Sequence, residues 1–149
     1  ALQTPPLAQL GIQTFLDTPV KNMSGGMKKR LSLACALLDA PQILLMDEPF
    51  GAIDPKLRQE LQEFFSKLSK EKGKTVLFVT HDIDEAILLA DRIVVMEPGK
   101  IRAEIPVTIP YPRRKEELAG TDDYRKLHQK LISLFYNRVA EEIGEEVVL

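Results

Sequence analysis

The sequence lacks features that several classes of protein require. Its single cysteine, Cys35, excludes a disulfide within the chain. Cys35 lies among leucines and alanines, so we expect a small buried hydrophobe in a reducing compartment. Apolar runs such as Ile43–Met46 and Val76–Val79 fall far short of the roughly 20 residues that span a bilayer. At a net charge of −2 there is no basic excess, which disfavours nucleic acid as a partner and a polybasic membrane patch.

What the sequence does contain is an alternation of short apolar runs and amphipathic stretches. Ile43–Met46 and Thr75–Val79 have the continuous apolar character of strands that are buried on both faces of a parallel sheet. Amphipathic stretches between and around them predict helices. Together they predict an α/β fold with a mainly parallel sheet and flanking helices, in one domain or a large piece of one.

Capping residues indicate where the helices begin. Ser24 is placed to cap a helix that runs to about Leu38. Asp54 followed by Pro55 predicts the start of a second helix, which Gly73 ends. This helix carries an apolar stripe over about four turns, made of Leu57, Leu61, Phe64, Phe65 and Leu68.

The pattern changes towards the C-terminus. A short helix over Asp82–Leu89 precedes two apolar stretches that flank Glu97-Pro98-Gly99, which predicts a hairpin. Three prolines and a basic triplet then indicate an extended connector over residues 106–121. A last helix is predicted from about Asp122 to Glu142, within a C-terminal segment of residues 122–149.

Two acidic residues, Asp47 and Glu48, directly follow the first apolar run. Ligands of open α/β sheets bind at the carboxyl ends of the strands, so the pair is expected at a functional edge. One carboxylate could hold Mg²⁺ through water, and the next could polarise an attacking water. The competing interpretation is a solvated strand end. Pro49, which stops the strand, and Gly51, which permits a tight loop, favour the functional interpretation.

A possible phosphate site lies at the start of the first predicted helix. Ser24-Gly25-Gly26 would expose backbone N–H groups and the positive end of the helix dipole. The alternative is a plain capped helix. The basic residues that follow, Lys28, Lys29 and Arg30, point in different directions at helical spacing, so we expect a solvated basic face.

His81 follows the second apolar run as Asp47 follows the first. If the two strands are neighbours, His81 lies at the same edge, where it could contact a γ-phosphate or position a water. The alternative is a histidine that is hydrogen-bonded in a loop. His128, on the last predicted helix, has no such context, and we expect it to be exposed.

Taken together, three segments resemble the second half of an ABC transporter ATPase domain. MSGGMKKR (Met23–Arg30) resembles the signature motif, and ILLMDEPF (Ile43–Phe50) resembles Walker B with its catalytic glutamate. GAID resembles the D-loop and VTHD the switch-histidine loop. The resemblance covers roughly residues 10–105 and is closest to the importer ATPases for nitrate, sulfonate and taurine. It implies that residues 1–105 are the C-terminal portion of such a domain, with 1–40 in its helical subdomain and 41–105 in its core.

The resemblance implies a role for each site residue. Glu48 would be the general base, His81 would sense and stabilise the γ-phosphate, and Asp47 would organise Mg²⁺. Asp54 would bridge across a dimer of two ATPase domains. The signature residues would contact the ATP held by the opposite subunit, and they are Ser24, Gly25, Gly26 and Met27.

No run in the 149 residues has the pattern G-x-x-x-x-G-K-[ST] of the phosphate-binding loop, known as Walker A in this family. An adenine-stacking aromatic residue and a Q-loop are also not recognisable. We therefore expect that the chain by itself neither binds ATP tightly nor turns it over. The sheet would expose a flank that is normally buried, so self-association is expected.

The resemblance also implies partners and a location. A second ATPase domain would pack head to tail, and a transmembrane permease subunit would hold the protein on the cytoplasmic face of the membrane. ALQTPPLAQ at the start has neither the charge nor the apolar run of a secretory signal. One alternative is a non-catalytic module that docks on a transporter or on a complete ATPase. A soluble ABC ATPase of DNA repair or translation is disfavoured by the acidic balance.

Overall fold

Two compact units make up the chain, and they divide between His81 and Asp82. The computed structural model describes residues 10–38, 41–51, 53–71 and 74–143. The first unit contains the strands β1 (Ile43–Asp47) and β2 (Thr75–Val79), which form a parallel pair. The mixed helix and strand composition confirms the predicted α/β class. The predicted boundaries at residues 105 and 121 stay predictions.

Strands β1 and β2 run in register from Ile43 opposite Thr75 to Asp47 opposite Val79, so they end at the same level. This confirms both predicted strands, and it meets the condition on which the predicted position of His81 depended. The ladder is fixed at its start as well, because the N–H of Thr75 donates to the carbonyl of Gln42 at 2.9 Å.

The prediction that both faces of these strands are buried is wrong. Leu44 and Met46 are buried, but every second residue faces outward, because side chains alternate along a strand. No described element of the first unit covers the outward side. We name this surface the open face, and its apolar members are Ile43, Leu45, Leu77 and Val79, which are 72, 71, 58 and 54% exposed.

Two helices flank this parallel pair in the sequence. Helix α1 (Gly25–Leu38) begins directly after Ser24, and α2 (Pro55–Glu71) directly after Asp54, as predicted. Gly73, the predicted end of α2, lies outside the described residues.

Phe65 of α2 packs edge-to-face against Phe50, which follows β1, with ring centroids 5.8 Å apart. This contact joins the helix to the loop at the end of the strand. The other large side chains that are buried in the first unit include Leu10, Ile12, Phe15, Leu33, Leu44, Met46, Ile53 and Leu61.

Cys35 is exposed, so the expectation of a buried thiol is wrong. Leu33 and Ala34 occupy the buried side of α1. An α-helix turns by about 100° per residue, which carries position 35 away from that side.

The second unit closes around a core of its own. It begins with helix α3 (Ile83–Leu89), followed by the strands β3 (Arg92–Glu97) and β4 (Lys100–Pro106), which form the predicted antiparallel hairpin. Gly99 has a φ of 76° in the turn between them, a conformation that glycine adopts without steric cost.

Two further helices, α4 (Lys115–Leu118) and α5 (Asp122–Ile143), complete the second unit. Helix α5 confirms the last predicted helix. Six buried side chains form the core: Ile87, Ile105, Val107, Ile109, Tyr124 and Leu131. Within the described ranges, no helix combines the length and the apolar character that crossing a membrane requires.

The predicted connector is anchored by Arg113. Its buried guanidinium donates to the carbonyls of Ile109 at 2.7 Å and Val107 at 3.1 Å, and to two carbonyls at the end of α3, Ile87 at 2.9 Å and Ala90 at 2.6 Å. It also stacks over the ring of Tyr111, 3.9 Å from the centroid. Burial lowers the pKa of Arg113 and raises that of Tyr111. Four backbone carbonyls therefore hold this cation, and the charge of Asp91 also favours it.

Candidate functional site

Glu48 and His81 meet at the carboxyl ends of β1 and β2. One oxygen of the Glu48 carboxylate, Oε1, lies 2.7 Å from Nδ1 of the His81 ring and accepts the backbone N–H of His81 at 3.1 Å. The two residues follow strands that end at the same level, which explains why they are in reach. The predicted juxtaposition is confirmed. With the side chains 37% and 80% exposed, the Glu48–His81 pair is open to a ligand from solvent.

The backbone of Glu48 is in the left-handed region, with a φ of 44°. This conformation costs a non-glycine residue roughly 1–2 kcal/mol, and such strain tends to collect at functional sites. A tight turn follows, in which the N–H of Gly51 donates to the carbonyl of Glu48 at 3.2 Å. A Cβ on Gly51 would lie 3.4 Å from that carbonyl oxygen, so an added side chain would begin in van der Waals contact with Glu48.

Asp47 ends β1 with its side chain exposed. Among the described residues, no group of three or more histidine, cysteine or acidic side chains could enclose a metal ion. Mg²⁺ does not require such a cage, because it is commonly held by one or two carboxylates together with water and phosphate oxygens. Asp47 beside Glu48 therefore fits an Mg²⁺ ion that arrives with a nucleotide.

The start of α1 has the geometry of a capped helix with an open approach. The hydroxyl of Ser24 accepts the N–H of Met27 at 3.2 Å. A Cβ on Gly25 would meet no atom within 4 Å, so the adjacent backbone is accessible. Gly26 follows in the first turn. The Ser24 hydroxyl can still donate its proton to a phosphate oxygen, so these residues fit the predicted anion site.

The basic residues after Met27 differ from the expected solvated face. Lys28 is exposed, as expected. The ammonium of Lys29 donates to the backbone carbonyl of Asp47 at 2.8 Å. The guanidinium of Arg30 lies over the ring of Phe15, 4.9 Å from its centroid. For Lys29 and Arg30 the expectation is therefore wrong, because both hold parts of the first unit together.

Asp54 caps helix α2. Its Oδ1 accepts the N–H of Leu57 at 3.0 Å, and its carbonyl accepts the N–H of Arg58 at 2.9 Å. A capping role thus accounts for the carboxylate within the chain. The bridging role across a dimer stays a prediction.

A polar cluster in the second unit was not anticipated from the sequence. The carboxylate of Asp84, on α3, accepts hydrogen bonds from Lys115 and from the hydroxyl of Tyr124, and lies 3.3 Å from Nε2 of His128. We name these four residues the Asp84 cluster. His128 is only half-exposed, so the expectation of an exposed residue is wrong.

Charges within the Asp84 cluster favour its ionised carboxylate. Burial alone would raise the pKa of Asp84, but hydrogen bonds from Lys115 and Tyr124 outweigh it, and the pKa lies below its ordinary value. Burial and the same contact raise the pKa of Tyr124. The residues of the Asp84 cluster are up to 44 positions apart in the sequence, so no local pattern predicts that they meet. The acidic start of α3 was the only local signal.

Comparisons with known proteins agree with this geometry. A family model described as ABC transporter matches residues 4–51. The chain is 45% identical over 117 residues to the aliphatic sulfonates import ATP-binding protein of Bacillus cereus, covering 77% of the chain and 45% of that protein. It is 33% identical over 143 residues to the taurine import ATP-binding protein of Pelagibacter ubique, covering 93% and 54%.

A third relative is the bicarbonate transport ATP-binding protein of Synechococcus elongatus, 39% identical over 139 residues, which are 91% of the chain and 50% of that protein. The chain thus spans about half the length of the curated relatives that it matches.

Solved structures show the same likeness. A dimeric ATP-binding cassette in a post-hydrolysis state, bound to ADP and Pi, superposes with a TM-score of 0.63 at 33% identity, covering 68% of the chain and 45% of the cassette. Motifs, fold and relatives agree, and the chain belongs to the ATP-binding proteins of ABC transporters, of which it represents about half.

Proposed function

We propose that the chain supplies the signature helix and the hydrolytic carboxylates of an ATP-hydrolysing subunit that energises the uptake of a small solute of the nitrate, sulfonate or taurine type. The observation that carries this proposal is the Glu48–His81 pair at the end of two parallel strands, directly after Asp47. The names of the relatives support the solute class, since they describe import of sulfonates and taurine and transport of bicarbonate.

Each residue at this edge has a chemical task. The Glu48 carboxylate accepts a proton from the attacking water, and His81 orients that carboxylate and contacts the γ-phosphate. Asp47 would hold Mg²⁺, which would offset the negative charge of the phosphate groups. When bound, Mg-ATP supplies the phosphoryl group that water attacks. The exposure of the Glu48–His81 pair supports this arrangement, because water and phosphate must both reach it.

The signature residues act on a second nucleotide. Ser24, Gly25, Gly26 and Met27 present the N-terminus of α1 to the γ-phosphate held by the opposite subunit of a head-to-tail dimer. The open approach to Gly25 supports this role. Asp54 bridges the two subunits. A permease subunit then holds the ATPase on the cytoplasmic face of the membrane.

The test measures ATP hydrolysis by the 149-residue chain together with a polypeptide that carries the phosphate-binding loop. Glu48→Gln should lower kcat about a hundredfold or more while ATP still binds, because a general base typically contributes 10²–10⁴. Glu60→Gln, on the exposed surface of α2, is the matched control and should leave kcat unchanged. Full turnover by Glu48→Gln would refute the proposal.

A second candidate is a non-catalytic module that docks on a complete ATPase or a transporter. The open face favours a docking module, because its four large apolar side chains are exposed and exposed apolar patches commonly bind other proteins. Calorimetry with Mg-ATP and the chain alone should show no micromolar binding under either proposal. Hydrolysis that appears when the loop-bearing polypeptide is added supports the catalytic function, and its absence supports the module.

A further inference from the structure

The backbone carbonyl of Asp47 accepts a hydrogen bond from the side chain of Lys29. The N–H of the next residue, Glu48, donates across the parallel ladder to the carbonyl of Val79 at 2.9 Å. In a trans peptide the C=O and N–H point in opposite directions, so the Asp47 carbonyl points away from β2. No strand lies along that side of β1 within the described residues, and the Lys29 ammonium provides the hydrogen bond at 2.8 Å.

One peptide group is therefore held at both of its ends. Its N–H is fixed by Val79 and its C=O by Lys29. Rotation of this peptide would change φ of Glu48, because φ describes the orientation of the preceding carbonyl carbon about the N–Cα bond. Glu48 keeps a φ of 44°, which is disfavoured for a residue with a side chain and needs restraint from its surroundings.

We propose that Lys29 is a positioning residue that holds the backbone of Glu48 in its left-handed conformation, and thereby aims the Glu48 carboxylate at His81. The inference rests on the proposed function, because it matters for turnover only if Glu48 is the base. Lys28 provides a matched comparison, since it precedes Lys29 in the same helix but is exposed.

The first test reads the geometry directly in the 149-residue chain by NMR. The His81 amide proton, which donates to Glu48 Oε1, should have a chemical shift typical of a bond to a carboxylate. Lys29→Met should move that proton upfield, whereas Lys28→Met should not. Lys29→Arg, which keeps a charged donor, should retain most of the shift. If Lys29→Met does not fold, Lys29→Ala, which removes the donor and keeps a high helix propensity, should show the same displacement.

The second test measures turnover with the loop-bearing polypeptide present. Lys29→Met should lower kcat roughly tenfold with little change in KM, because a hydrogen bond to a charged group typically contributes about that factor. Lys29→Arg should recover most of kcat. A merely structural role would give loss of folded protein at unchanged kcat per folded molecule.

The two proposals fail in different ways. Full activity in Glu48→Gln would refute the proposed function, whatever the Lys29 variants do. An inactive Glu48→Gln beside a fully active Lys29→Met, or an unmoved His81 amide in Lys29→Met, would refute the role of Lys29 alone.

Discussion

The two units of the chain each contain a two-stranded sheet, and the two sheets differ in how much apolar surface they leave exposed. In the second unit, helices and the connector bury one side of the hairpin around Ile87 and Ile105. Its other side combines apolar residues with ion pairs, such as Arg92 with Glu104 at 2.8 Å. In the first unit the open face carries four large apolar residues that are more than half exposed.

The unit with the more completely buried core is not the unit that contains the candidate site. The second unit has a closed core, an anchored connector and the Asp84 cluster, all of which stabilise it from within. The candidate site lies in the first unit, which leaves apolar surface uncovered. We therefore expect substitutions to have opposite signatures in the two units: large losses of stability in the second, and changes in association or turnover in the first.

The largest effect on stability is expected from Ile87→Ala. Its side chain is fully buried, and truncation of such a residue costs about 3–4 kcal/mol. Leu45→Ala, on the open face, should change the free energy of unfolding by roughly 0.5 kcal/mol or less. Hydrogen exchange of amides in β3 and β1, respectively, measures each unit separately. Similar losses at both positions would mean that the open face is covered in solution.

Arg113→Met should destabilise the second unit by about 2–3 kcal/mol, because buried carbonyls would lose a charged donor. Lysine at this position has fewer donors and no planar group, so the stability of Arg113→Lys should lie between that of Arg113→Met and that of the wild type. Urea unfolding of the second unit measures both. If Arg113→Met left stability unchanged, water would have to replace the guanidinium at the end of α3.

The Asp84 cluster gives the second unit a defined dependence on acid. The folded pKa of Asp84 lies below its ordinary value of 3.8, so the stabilisation is fully present above about pH 4. It is lost as the pH falls through the folded pKa. Asp84→Asn should remove roughly 1–2 kcal/mol at pH 7 and flatten the pH dependence below pH 4. Stability curves at pH 2–7 test this, with Asp122→Asn, at an exposed position, as the control.

The smallest effect is expected on self-association of the chain through the open face. Nothing in the structure tests this association, so it remains a prediction. Replacing Leu45 and Leu77 by Thr keeps the β-propensity but removes apolar area from the open face. Sedimentation should show about fivefold weaker association, equivalent to roughly 1 kcal/mol. Val94→Thr, on the hairpin of the second unit, should have less effect. A monomer at all concentrations in the wild type would contradict the expectation.

Local patterns predicted the elements well, since caps, prolines and apolar runs act over a few residues. Ser24, Asp54 and the Pro98-Gly99 turn lie where they were predicted. The position of His81 at the same edge as Glu48 was also predicted, on the condition that the two strands are neighbours. These features depend on rules that operate along the chain or across one ladder.

Features that depend on distant parts of the chain were missed. The bond from Lys29 to Asp47 spans 18 positions and the bond from Arg113 to Ile87 spans 26, and neither has a local signal. Burial of both faces of β1 was predicted wrongly, because an apolar run indicates what a strand prefers and not what covers it. Asp84 shows that an acidic residue in the first turn of a helix can bind distant side chains, while Asp82 caps the same helix.

The register of β1 and β2 determines whether the Glu48–His81 pair can form. A slip by one residue would shift one strand by about 3.3 Å and turn its side chains to the other face. Glu48 and His81 would then lose their contact. Under the proposed function, such a mispaired molecule would not hydrolyse ATP, because the proposed base would have lost its contact with His81.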